Sequence, residues 1–179
     1  MNRIKIILST PSLSFALIAL ISFTSLTAAF IAEGLLELEP CILCIYQRYP
    51  FAFGLFLSLI GLTLRKKTPI ATALLSICGI TFLINSIIAS YHTGVEQHWW
   101  TSAVEGCSVV FLENSHTKSI LENIMSAPMG DCSKIPWQDP ILGLSMANYN
   151  IALCFGLFIF CIVSAIMVAK SKQLHSKES

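Results

Sequence analysis

Residues 6–32 read IILSTPSLSFALIALISFTSLTAAFIA, 27 consecutive positions without an ionisable side chain. A helix needs about 20 apolar residues to cross the hydrocarbon of a bilayer, so this run predicts a membrane span. It is also longer than the roughly 7–15 apolar residues of a signal-peptide core, which predicts a retained helix, not a cleaved leader. Working outward, Tyr49–Leu64, Thr68–Tyr91 and Ile141–Ala169 are equally free of charge. Inside lipid a helix satisfies its own backbone groups. The chain is therefore expected to be all-α, a single four-helix membrane domain over 1–179, with spans at about 13–32, 44–64, 69–90 and 149–169.

Composition agrees. Broadly apolar residues make up 55% of the chain and charged ones 12%, against about 25% charged in soluble domains. Mean hydropathy is +0.73. These values exclude a disordered chain, a nucleic-acid binder and an ordinary soluble enzyme. The net charge of +1 provides no global field to steer a charged partner.

Charge bias orients the spans. Arg3, Lys5, Arg65, Lys66, Lys67, Lys170, Lys172 and Lys177 fall on one side, eight of the eleven basic residues. Nine of the ten acids fall on the other. The positive-inside rule then predicts cytoplasmic termini and two loops on the far, trans side, at about 33–43 and 91–148. In the second loop, Thr117 to Met125 carries Ile120, Leu121, Ile124 and Met125 on one helical face, which suggests a short amphipathic surface helix. Trp99 and Trp100 read as interfacial anchors.

This topology sorts the seven cysteines. Cys41 and Cys44 lie at the trans mouth of the second span, and Cys107 and Cys132 lie in the long trans loop. Cys78, Cys154 and Cys161 lie inside spans, where a thiol usually packs as a small inert residue. The strongest local feature is Pro40-Cys41-Ile42-Leu43-Cys44-Ile45-Tyr46-Gln47-Arg48. Proline suits the first turn of a helix. Cys41 and Cys44 then share a face, with Arg48 one turn further along it. A helix N-terminus and a nearby guanidinium both favour a thiolate, so this is expected to be a redox pair with one activated sulfur. Two other readings compete: zinc ligation by the four trans cysteines, and purely structural disulfides in a transporter or scaffold. A Cys-x-x-Cys disulfide closes too small a loop to staple anything distant. An oxidising compartment disfavours thiolate ligands, and no metal is expected. Arg48 either snorkels to the interface or donates to Cys44 and to a bound acceptor; His92, at the end of the third span, could reach the same depth. Electrons leaving a dithiol at a membrane surface need a lipid-soluble two-electron carrier, and a quinone meets that need.

These residues resemble the DsbB family of bacterial inner-membrane disulfide-bond formation proteins. The likeness runs from the first span to the fourth. It rests on the motif from Pro40 to Arg48, on Tyr91-His92-Thr93, Cys107, Gly130-Asp131-Cys132, and Trp137 followed by Leu142-Gly143-Leu144. A related quinone-linked group, resembling vitamin K epoxide reductase, places its loop cysteine pair before its Cys-x-x-Cys; here Cys41 and Cys44 come first. The resemblance implies that Cys107 and Cys132 form the disulfide that oxidises a periplasmic DsbA-like thioredoxin-fold protein, with Cys107 the sulfur attacked. It implies that Cys132 then attacks Cys41 and that Cys44 reduces a quinone, ubiquinone or menaquinone, oriented by Arg48; His92 is a further candidate for that quinone site from its position alone. No nucleic-acid partner is implied.

Overall fold

The computed structural model describes residues 7–104, Cys107 and 130–178, with side chains to 171. Four long helices carry the structure: α1 (Pro11–Leu35), α2 (Ile42–Leu64), α3 (Thr68–Glu96) and α4 (Met146–Glu178). Each is long and apolar enough to span a bilayer, α4 over Met146–Ser171. No strand occurs among the described residues, only isolated bridges. The segment 117–125, with its expected surface helix, lies outside the described residues.

The connection from α2 to α3 is a tight turn closed by Lys67 N–H donating to the Leu64 carbonyl. Short connections make consecutive helices antiparallel neighbours. Thus α1 packs on α2 and α2 on α3, while α3 and α4 share the largest interface. Phe15 and Ile18 of α1, Phe51 and Leu57 of α2, Leu75, Cys78 and Phe82 of α3, and Cys154, Leu157 and Cys161 of α4 form one buried core. Leu20, Phe23, Phe56, Ile80, Ile87 and Phe155 point outward, as lipid-facing residues should, because tails solvate them as well as a core does. Packing in lipid relies on close backbone approach. Gly61 provides one such site: a Cβ there would lie 2.4 Å from the Phe15 ring.

The helices outrun the apolar segments that announce them. The sequence places the third span at 69–90 and assigns 91 onward to the loop. Helix α3 instead continues through His92 and Thr93 to Glu96. The reason is tertiary: His92, Thr93, Gly94, Val95 and Glu96 are all buried, so the last turn and a half is covered by protein and needs no apolar surface. Trp100 stacks on Tyr91 with ring centroids 6.0 Å apart and lies over Gly94.

Candidate functional site

The start of α2 positions the first cysteine pair. Pro40 sits just ahead of the helix and not in its first turn; Cys41 itself is the N-cap, with extended backbone. Its sulfur accepts the Cys44 backbone N–H at 3.3 Å, taking the place of a capping oxygen. The Cys44 sulfur lies 3.0 Å away, close enough to share a proton. Cys41 is therefore the favoured thiolate. With Cys44 S–H donating to it, and His92 and the helix N-terminus adding to the effect, its pKa falls to about 4 despite burial.

His92 Nε2 stands 3.4 Å from Cys41 Sγ. A chain of amides fixes its tautomer. Asn150 Nδ2 donates to Gln47 Oε1 at 2.5 Å, which turns the Gln47 NH2 toward His92 Nδ1 at 3.0 Å. A donor facing Nδ1 makes that nitrogen the acceptor, so the ring proton resides on Nε2 and points at sulfur. The chain continues into the bundle. Cys154 donates to Asn150 Oδ1, and Asn85 Nδ2 donates to both Cys154 Sγ and the Gln47 carbonyl. Cys78 and Cys161 pack in the core as expected. Cys154 does more than pack, since it links two amides.

Arg48 lies on the same helix, but its guanidinium turns to α1. Nη1 donates to Glu33 Oε2 at 2.6 Å, and the group sits 5.1 Å above the Phe30 ring centre. It is thus paired with a carboxylate, which answers the cost of a cation at membrane depth. Arg48 and Cys44 line one cavity of about 530 Å³, with Gln47, His92 and Glu96 beside them. Leu26, Ala29, Phe51 and Leu153 provide apolar wall. An apolar chamber with a few convergent polar groups fits a flat ring carrying carbonyl oxygens. Cys41, Cys44 and His92 also bring their ligand atoms within 4.8 Å of one another. The amide chain spends the His92 ring proton on sulfur, and this suits hydrogen bonding to a thiolate.

The second pair is joined as a disulfide, Cys107–Cys132. It is not remote from the first: Cys41, Leu43, Val95, Cys107 and Cys132 form one buried cluster, with Cys44 and Tyr91 packed against it. The contact is made by backbone. Gly130 forms a parallel bridge with Cys41, and Cys132 N–H donates to the Cys107 carbonyl. A Cβ on Gly130 would lie 2.6 Å from the Glu39 carbonyl oxygen, an atom that cannot rotate away. Gly130→Ala is therefore expected to undock this segment. In a protein also carrying Cys44→Ala and Cys107→Ala, formation of a Cys132–Cys41 crosslink should slow at least about tenfold, equivalent to about 1.4 kcal/mol of docking. An unchanged crosslinking rate would remove the bridge from the argument.

All six residues singled out in the sequence thus meet at one end of the bundle, opposite the α2–α3 turn. Sequence reasoning missed Gln47, Asn150 and Glu96, polar residues at or near the ends of apolar runs.

The sequence model described as disulfide bond formation protein DsbB matches residues 11–164. Among similar proteins, an uncharacterized protein of Rickettsia prowazekii is 32% identical over 141 residues, 78% of this chain and 79% of its own length. A disulfide bond formation protein B of Psychromonas ingrahamii is 30% identical over 167 residues, covering 90% and 86%. One from Albidiferax ferrireducens is 27% identical over 172 residues, 93% of each chain. No solved structure matches. With four spanning helices, two cysteine pairs in contact and a family match over most of its length, this multi-pass membrane protein belongs to the DsbB family of disulfide bond formation proteins.

Proposed function

We propose that the chain is a quinone-dependent thiol oxidase of the bacterial inner membrane, a single four-helix unit with cytoplasmic termini and periplasmic redox loops. It reoxidises a DsbA-like thioredoxin-fold dithiol protein. One observation carries the reading: both cysteine pairs share a buried cluster, and one member, Cys44, also opens on an apolar cavity.

Each step is thiolate attack on a disulfide sulfur. A partner thiolate attacks Cys107, forming a mixed disulfide and releasing Cys132 as thiolate. The partner's second thiolate resolves that bond, leaves oxidised and releases Cys107. Cys132 attacks Cys41 of a Cys41–Cys44 disulfide, and Cys44 leaves as thiolate. Cys107 then attacks Cys132, which restores the loop disulfide and frees Cys41. A quinone, ubiquinone or menaquinone, supplies a two-electron, two-proton sink when bound. The Cys41–Cys44 bond closes again as two electrons leave through Cys44. Arg48, aligned by Glu33, orients and polarises a carbonyl in the cavity. His92 steadies the Cys41 thiolate through its Nε2–H.

The test is quinone reduction in detergent, with a reduced thioredoxin-fold dithiol protein as donor. Wild type should turn over; Cys44→Ala and Cys107→Ala should each lose turnover while remaining folded. Activity retained in either variant, or no turnover by wild type with any donor, would reject the relay and favour a disulfide-stapled scaffold.

A further inference from the structure

The relay moves electrons, and two protons must travel with them. Glu96 bears on where those protons wait. It lies one helical turn beyond His92 and is 4% exposed. Oε2 accepts the Ser145 hydroxyl at 2.5 Å, and that hydroxyl is aimed there because the Ser145 oxygen itself accepts from Asn148 N–H and Nδ2. Oε1 lies 3.7 Å from His92 Nε2, the nitrogen that also faces Cys41. Among the described residues, the groups around Glu96 are therefore His92 on α3, Cys41 and Cys44 at the start of α2, and the neutral Ser145 and Asn148 at the start of α4. Arg48 is taken by Glu33, so it is not the cation for this carboxyl. Glu33 and Glu39, the other acids lining the cavity, are exposed.

A Cys41 thiolate and a Glu96 carboxylate would be two anions around one imidazole whose single proton is already fixed on Nε2. Two like charges sharing a buried site cannot both be ionised cheaply. Resting on the thiol-oxidase reading above, we propose that Glu96 is the proton store of the Cys41–Cys44 pair, protonated while the pair is a dithiol and ionised once it is a disulfide. The balance closes. In the reduced site Cys41 is a thiolate, Cys44 a thiol and Glu96 a carboxylic acid. Forming the Cys41–Cys44 bond releases two electrons, and the protons of Cys44 and Glu96 go with them to the acceptor in the shared cavity. Re-reduction by the Cys107–Cys132 dithiol returns two protons, one to Cys44 and one to Glu96.

Infrared difference spectroscopy of the full chain in detergent tests this without any acceptor. Reduction of the oxidised protein with dithiothreitol should raise the carbonyl stretch of a protonated carboxyl, shifted in heavy water and absent in Glu96→Gln. Ser145→Ala, which removes the hydroxyl donor, should move the band and serves if Glu96→Gln does not fold. No band in wild type, a band unchanged in Glu96→Gln, or one unmoved in Ser145→Ala would overturn the assignment even if wild type reduces quinone. In the quinone assay, Glu96→Gln should slow turnover about 10²-fold, the scale of a lost proton-transfer group. That deficit should deepen as pH rises, because the missing proton must then come from solvent. Failure of wild type to reduce quinone would reject the oxidase reading and leave the infrared result standing.

Discussion

In the reduced protein the ultraviolet absorbance of a thiolate should persist on acidification until about pH 4, and in His92→Ala the midpoint should move up by about one unit or more. The cause is local. Cys41 accepts the Cys44 thiol, the His92 ring and the Cys44 backbone N–H, and burial opposes all three. Removing His92 leaves two donors and the same burial. The linkage has a definite sign. The folded pKa is below the ordinary value near 9. The Cys41 anion therefore stabilises the folded dithiol in full above pH 9. That contribution shrinks as pH falls and is gone below about 4. The reduced protein should accordingly lose thermal stability on acidification through this window by more than Cys41→Ser does. A thiolate midpoint near 9 in wild type would show that the cap and the ring do not act on this sulfur.

Gly61→Leu should be the most damaging single change in the membrane-embedded core. The α1–α2 seam closes with the Phe15 ring against the Gly61 backbone, and even a methyl would meet ring carbons at 2.4–2.6 Å. Phe15 is fully buried, so its ring has nowhere to turn. Overpacking costs about 1–3 kcal/mol where the structure can adjust. Here adjustment means separating α1 from α2, and with it Glu33 from Arg48. The expected readouts are a lower unfolding temperature in detergent and, under the proposed quinone reading, weaker apparent quinone affinity, with the Cys107–Cys132 disulfide still formed. Gly34→Ala, with open space around its Cβ, is the matched control and should leave both unchanged.

The sequence reveals some of this directly, and the physical reason is clear in each case. Charge-free runs locate the spans because lipid penalises charge wherever it falls, so no knowledge of packing is required. The Cys41–Cys44 spacing reports its own geometry because it is local. Pairings between helices are different. Glu33 and Arg48 are separated by 15 positions and a loop, and their meeting depends on how α1 and α2 rotate about their axes. Gln47, Asn85 and Asn150 look like three stray amides until three helices bring them together. Glu96 was hidden by the convention that an apolar run ends at its first polar residues; its i, i+4 relation to His92 was the available signal.

The amide chain has a consequence for biosynthesis. Gln47 and Asn85 leave the ribosome well before Asn150 and Cys154. Gln47 Oε1 accepts a hydrogen bond from Asn150 Nδ2 and Asn85 Nδ2 donates to Cys154 Sγ, so the nascent α2–α3 hairpin lacks both partners before α4 is made. The hairpin therefore carries an unmet polar cost in lipid until α4 joins it.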